Sequence, residues 1–247
     1  MSRYLLVLAL LFAGLPLRAQ DAPPPPLEGK IEGKTYVSPT GVFKVTIPVL
    51  PELGGQISDT PNVVTFEDDF NTHISIAAFQ QDATQRWELS TRGLKDYLVY
   101  FFSNFVLSDF KQAFEGVQIE SAKFLPNTAD GSLLAYILIP GGSMFMAKVP
   151  KVSVGEAPPV AKRGNLLFVK NGHIFVISIE LAERVIEGKA YNKTKDQEDE
   201  ILRQRLFDVV NKIQFAKPPA SAVSAPAAAT SAATPTNSAQ AKDSAKK

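Results

Sequence analysis

Leu166–Leu167–Phe168–Val169–Lys170–Asn171–Gly172–His173–Ile174–Phe175–Val176–Ile177 is two apolar runs, rich in β-branched and aromatic residues, around an Asn-Gly pair. A two-residue hairpin needs positive φ at both central residues, and Asn followed by Gly meets that need at the least steric cost. The stretch predicts two antiparallel strands and makes an antiparallel sheet the framework of the fold. Further strands are expected at 34–38 and 42–47, around the turn Pro39–Thr40–Gly41, with Pro48 and Pro51 ending the second. Another pair is expected at 62–67 and 73–79, where Ile74 and Ile76 point one way and His73 and Ser75 the other. A last pair is expected near 117–125 and 132–139, on either side of Pro126–Gly131.

Two segments break the strand pattern. Leu94, Leu98, Phe101 and Phe105 recur at helical spacing, with Thr91 as the expected N-cap, a further turn at Phe110 and Phe114, and Gly116 as the stop. Thr194 precedes Gln197 by three residues, a capping-box spacing, and Leu202, Leu206, Val209 and Ile213 follow as an apolar stripe. Strands grouped as hairpins, with one central and one terminal helix, define an α+β fold: an antiparallel β-sheet flanked by helices.

The ends read differently. Arg3 and the 13-residue apolar stretch Leu5–Leu17 precede Arg18–Ala19, the anatomy of a secretory signal peptide cut between Ala19 and Gln20. Retention of the stretch as an uncleaved anchor is the alternative. Residues 20–29 form a Pro-rich linker carrying Pro23–Pro26, which favours extended polyproline II. Residues 218–247 hold 11 Ala, 4 Pro, 5 Ser and 3 Thr, and Val223 is their only larger apolar side chain, so this tail is expected to be disordered. The expected domain is 30–217. The expected location is outside the cytoplasm, periplasmic or secreted, with no transmembrane segment once the signal is removed.

Composition narrows the chemistry. The chain has 247 residues, no cysteine, two histidines, 26 basic and 25 acidic residues, and a formal charge of +1. The absence of cysteine removes disulfides, thiolate metal sites and a thiol nucleophile. A near-zero charge argues against nucleic acid as a partner.

Tyr36–Val37–Ser38–Pro39–Thr40–Gly41–Val42–Phe43–Lys44–Val45–Thr46–Ile47–Pro48 resembles the opening of PsbP-like and DcrB-like domains. There a hairpin with a glycine and an aromatic leads into alternating strand residues and a proline. The order that follows is similar as well: a second hairpin, a long helix, more strands, and a terminal helix ending here in Ile213–Gln214–Phe215. The resemblance implies a helix-flanked antiparallel sheet used for docking, as in thylakoid-lumen photosystem subunits, a nuclear Ran-binding protein and bacterial envelope proteins. It implies no shared catalytic residues, and fold alone does not specify function.

Few chemical groups converge. Glu67, Asp68, Asp69 and His73, with Asn71 between, could ligate Ca²⁺ or Mn²⁺, but hairpin connections select the same residue types, and no metal site is expected. Gly141–Gly142–Ser143 reads as a loop, not a nucleophile elbow, and no spacing recruits His73 or His173 to a triad. Glu183 and Glu187 read as one solvated face. No catalytic residue and no cofactor are expected. Tyr97 to Phe102 is six apolar or aromatic residues in succession, which one helical stripe does not explain. Tyr97, Tyr100 and Phe102 are therefore the candidate partner or ligand surface. The expected function is an exported, non-catalytic accessory module of the cell envelope that docks on a protein. The alternatives are a soluble carrier with an aromatic-lined pocket for a lipid-like ligand, or a hydrolase whose site is not apparent.

Overall fold

The computed structural model describes residues 25–148 and 157–216. The expected signal peptide, residues 20–24 of the linker and the 218–247 tail lie outside the described residues. Alternation of apolar side chains builds two antiparallel sheets. A four-stranded sheet joins β1 (Lys30–Glu32), β2 (Thr35–Val37), β3 (Phe43–Thr46) and β11 (Ile213–Phe215) in that order. A seven-stranded sheet runs β4 (Gln56–Asp59), β5 (Val63–Glu67), β6 (His73–Gln80), β10 (His173–Glu180), β9 (Val160–Lys170), β8 (Ser132–Pro140) and β7 (Gln118–Leu125).

The Asn-Gly hairpin is the centre of the larger sheet. Asn171 and Gly172 take φ of 50° and 74°, and Val169 faces Ile174 while Phe168 faces Phe175 across the ladder. The Phe168 and Phe175 rings stack with centroids 5.3 Å apart. Alternate residues of these strands feed two different cores. Leu166, Phe168, Phe175 and Ile177 pack with the small sheet and the terminal helix α5 (Lys195–Asn211). Leu167, Ile174 and Val176 pack with the helices that follow β6. Ile74 and Ile76 share one core, and with both faces of β6 covered His73 and Ser75 are as buried as they are.

The helical layer departs from the simple stripe. It begins earlier, with α1 (Ala83–Arg92), whose N-cap is Asp82; its carboxylate accepts the Gln85 N–H at 2.7 Å. Thr91 is no cap: it sits in the last turn of α1 and its hydroxyl donates to the Trp87 carbonyl. After Gly93 come α2 (Leu94–Phe101), a π-helical turn over Phe102–Val106, and α3 (Leu107–Ala113). Leu98, Phe102, Val106 and Phe110 are all buried at steps of four residues. Around an α-helix each such step drifts by about 40°. The π turn, closed by the Leu107 N–H on the Phe102 carbonyl, absorbs that drift and keeps all four on the sheet.

The Thr194–Gln197 capping box forms in both directions, and Leu202, Leu206 and Val209 are buried beneath α5. The helix does not extend through Phe215. It stops at Asn211, and Ile213–Gln214–Phe215 pairs with Val45–Lys44–Phe43 as β11. Phe215 then meets Phe168 and Phe175 edge-on, which an extra helical turn could not arrange.

Candidate functional site

One end of the domain gathers its unusual features. The β5–β6 connection is shaped by Asp68, whose Oδ1 accepts the backbone N–H groups of Phe70, Asn71 and Thr72, each at 2.9 Å. Partial burial pushes the Asp68 carboxyl up, but those N–H groups outweigh it and hold it below the usual range. The tight turn leaves Phe70 57% exposed. Beside it runs the 3₁₀ turn Pro51–Leu53, where Leu50 and Leu53 are 56% and 39% exposed. The Asp69 N–H donates to the Leu53 carbonyl at 3.1 Å, so the two turns lie against each other. Gly54 permits that approach: its φ is 72°, and a Cβ there would stand 1.9 Å from Asp69 Oδ2. Lys148 adds a clasp, donating to the carbonyls of Asp68 at 3.2 Å and Phe70 at 3.5 Å.

A cleft of about 290 Å³ opens alongside, with Pro48, Ile74, Ile179 and Val209 among its apolar lining and Asn71 and Arg205 among its polar lining. Arg205 is not free to bind an anion there. Its guanidinium forks onto Glu183 at 2.6 and 3.1 Å, and Asn71 Nδ2 donates to the same carboxylate at 3.3 Å. Burial raises the Glu183 carboxyl and the Arg205 contact more than reverses it, so Glu183 stays ionised.

Beneath this end the sheet buries polar residues. Ser178 is paired in register with Ser75 on one side and Asn165 on the other, and Glu180 with Arg163. His73 and Glu180 each lie one residue beyond the last β6–β10 pair. All six side chains are 5% exposed or less. Ser178 donates to Asn165 Oδ1, and Glu180 accepts from Ser143 Oγ, from the Met144 N–H at 3.0 Å and from Arg163 at 3.1 Å. Burial and the neighbouring Arg163 push the His73 imidazole down to about 3. A neutral histidine and a carboxylate committed to a guanidinium do not make an acid–base pair. Ser143 itself is bonded to Glu180, not to an imidazole.

The opposite face of β9 carries a second buried ionic group. Lys162 Nζ lies 2.5 Å from Glu120, 3.0 Å from Glu198 and 2.5 Å from Asp199, while Arg184 reaches Glu198 at 2.6 Å. This network ties β7, β9, α4 (Ala182–Ile186) and α5 together.

The structure disperses the residues singled out from sequence. Glu67 is half-buried opposite His73, Asp68 is occupied by its own turn, Asp69 is exposed and His73 faces the interior. Among the described residues no group of three His, Asp or Glu side chains could hold a metal. Tyr97 and Phe102 are core residues, 0% and 2% exposed. The Tyr97 hydroxyl is enclosed by Gln81 and Gln85 at 3.1 and 2.9 Å. Of the three aromatic candidates only Tyr100 reaches the surface, half-buried under the Arg92 guanidinium 4.5 Å from its ring. In the six-residue apolar run Tyr97, Leu98, Phe101 and Phe102 face the core, while Val99 is exposed and Tyr100 half-buried. Leu50, Leu53 and Phe70 escaped the sequence reading because single apolar residues among Pro, Gly and Asp look like ordinary turns. Phe70 inside an acidic turn is the one signal that could have marked them.

No family model and no curated protein matches the sequence. Solved structures do. Cyanobacterial PsbP (CyanoP) from Synechocystis sp. PCC 6803 is similar over 76% of this chain and 98% of its own, at 13% identity and a TM-score of 0.46. The likeness is one of fold. The Saccharomyces cerevisiae Ran-binding protein Mog1p is similar over 77% of this chain and 96% of its own, at 10% identity and a TM-score of 0.39. A protein from Bacteroides thetaiotaomicron VPI-5482 follows at 12% identity and a TM-score of 0.38, over 76% of this chain; the match spans half of that protein's length. No residue role is carried across from any of them.

Proposed function

We propose that this protein is an exported, non-catalytic accessory module of the cell envelope that docks on a protein partner. The observation that carries the reading is the apolar surface of Leu50, Leu53 and Phe70, presented by two turns that are hydrogen-bonded to each other. Large apolar side chains grouped at one end of a folded domain mark an interaction site more often than scattered ones do. The buried charges support a non-catalytic role, since Lys162, Arg163, Glu180 and Glu198 are engaged with one another or with neighbours. Export is supported by Arg3, the Leu5–Leu17 stretch and Ala19. The carrier alternative has less support, because Tyr97, Phe101 and Phe102 fill the core and do not line the cleft.

Site-specific photo-crosslinking tests the docking. A photoreactive residue at position 53 or 70 of the full chain, expressed in its own envelope, is expected to give one discrete protein adduct. The same residue at exposed Val99 on α2 serves as the control. Equal adducts from all three positions, or none from 53 and 70, would overturn the reading. N-terminal sequencing of the exported protein is expected to begin at Gln20.

A further inference from the structure

We infer that the segment seated on Leu50, Leu53 and Phe70 is basic: an apolar anchor flanked by lysine or arginine. This rests on the docking reading above. The two turns, 50–54 and 67–72, contribute Glu52, Glu67, Asp68 and Asp69 and no cationic side chain. Glu52 and Asp69 are exposed beside the apolar residues. Lys148 reaches these turns, donating to the carbonyls of Asp68 and Phe70, and its single charge offsets one of the four carboxylates. At the cleft edge Arg205 is matched by Glu183. The apolar centre is thus set in a negative field.

That arrangement divides the work as protein interfaces commonly do. Desolvated apolar anchors supply affinity, and rim charges set encounter rate, partner choice and salt sensitivity. A negative rim favours a partner with basic flanks and opposes an anionic lipid surface, where every approaching headgroup would meet a carboxylate.

Panning the full chain against a random linear-peptide library displayed on phage tests this without a known ligand. Clones that bind the wild type and fail to bind Phe70→Ser are expected to carry a Leu, Phe or other large apolar residue with lysine or arginine on its flanks. Replacing those basic residues by glutamate in one such peptide should weaken binding roughly tenfold, and raising the salt should weaken the basic peptide while hardly affecting an uncharged one. Glu52→Lys, a change of an exposed side chain in the Pro51–Leu53 turn, should reduce the selection for basic flanks. If Phe70-dependent clones show no charge bias, or an acidic one, the inference is overturned while the docking reading stands. If no clone depends on Phe70, both fall.

Discussion

Lys162 Nζ stands 3.0 Å from Glu198 Oε2 with both side chains almost wholly withdrawn from solvent. A lone buried charge is far more costly than a buried pair. Removing Lys162 would leave Glu120, Glu198 and Asp199 facing one another with only Arg184 and Lys195 nearby. Lys162→Met is therefore expected to destabilise the domain by about 3–5 kcal/mol. Urea unfolding of the wild type and the variant gives the difference directly, and a loss below about 1 kcal/mol would show that water reaches the network.

The strap after β8 depends on a carboxylate on β10. Glu180→Gln keeps the shape of the side chain but removes the carboxylate that the buried Arg163 meets at 3.1 Å. A loss of about 3–5 kcal/mol is expected. Ser143→Ala removes a single donor to Glu180 and should cost closer to about 1–2 kcal/mol. The order of the two unfolding midpoints, Ser143→Ala above Glu180→Gln, is the check.

His73 should shape the acid limb of stability. The folded domain keeps it neutral down to about pH 3, whereas the unfolded chain protonates it near 6.5. Between those values the unfolded state binds the extra proton. Its contribution is therefore fully present above about pH 6.5 and is lost as the pH falls, with a slope of at most about 1.4 kcal/mol per pH unit. His73→Leu should flatten that limb between pH 6.5 and 4 when unfolding free energies are compared at each pH. An unchanged slope would mean that His73 is protonated within the fold.

The π turn predicts an asymmetry between substitution and insertion. Ser103 is exposed, so Ser103→Ala should change stability by no more than about 0.5 kcal/mol. Inserting an alanine after Ser103 adds a residue beyond the one the π turn accommodates and turns Val106 and Phe110 by about 100° away from the face they share with Leu98 and Phe102. A loss of roughly 3 kcal/mol or more is expected, read as a lowered melting temperature.

Phe70→Ser should be silent for folding. The ring is more than half exposed, and the turn is held by Asp68, not by Phe70. Thermal unfolding should move by an amount equivalent to no more than about 0.5 kcal/mol, while peptide or partner binding is lost. Asp68→Ala, by contrast, strips three N–H groups of their acceptor and should weaken both binding and stability.

What was legible in the chain follows from the range of the forces involved. Asn171–Gly172 wrote its own hairpin because a turn is decided by the φ preferences of two residues. Thr194 and Gln197 wrote their own cap for the same reason. The Leu202–Leu206–Val209 stripe needed only the pitch of a helix. Ile213 was misleading: it continues the stripe by spacing, yet its strand pairing with Val45 prevails because β3 offers a three-residue ladder and a core lies within reach. Thr91 was misleading in the same way, since a helix starting at Asp82 had already claimed it.

The sequence by itself determined the α+β class, the main hairpins, the capped terminal helix and the lack of thiol chemistry. These rest on interactions between residues a few positions apart, or on composition. Only the tertiary structure decided that Tyr97 and Phe102 face inward, that Lys162 meets carboxylates from two distant elements, and that Leu53 and Phe70 share a surface. Each of those depends on strand register or on a loop-to-loop hydrogen bond. A register moved by one residue would turn every side chain of the strand to the other face, and no local preference carries that choice.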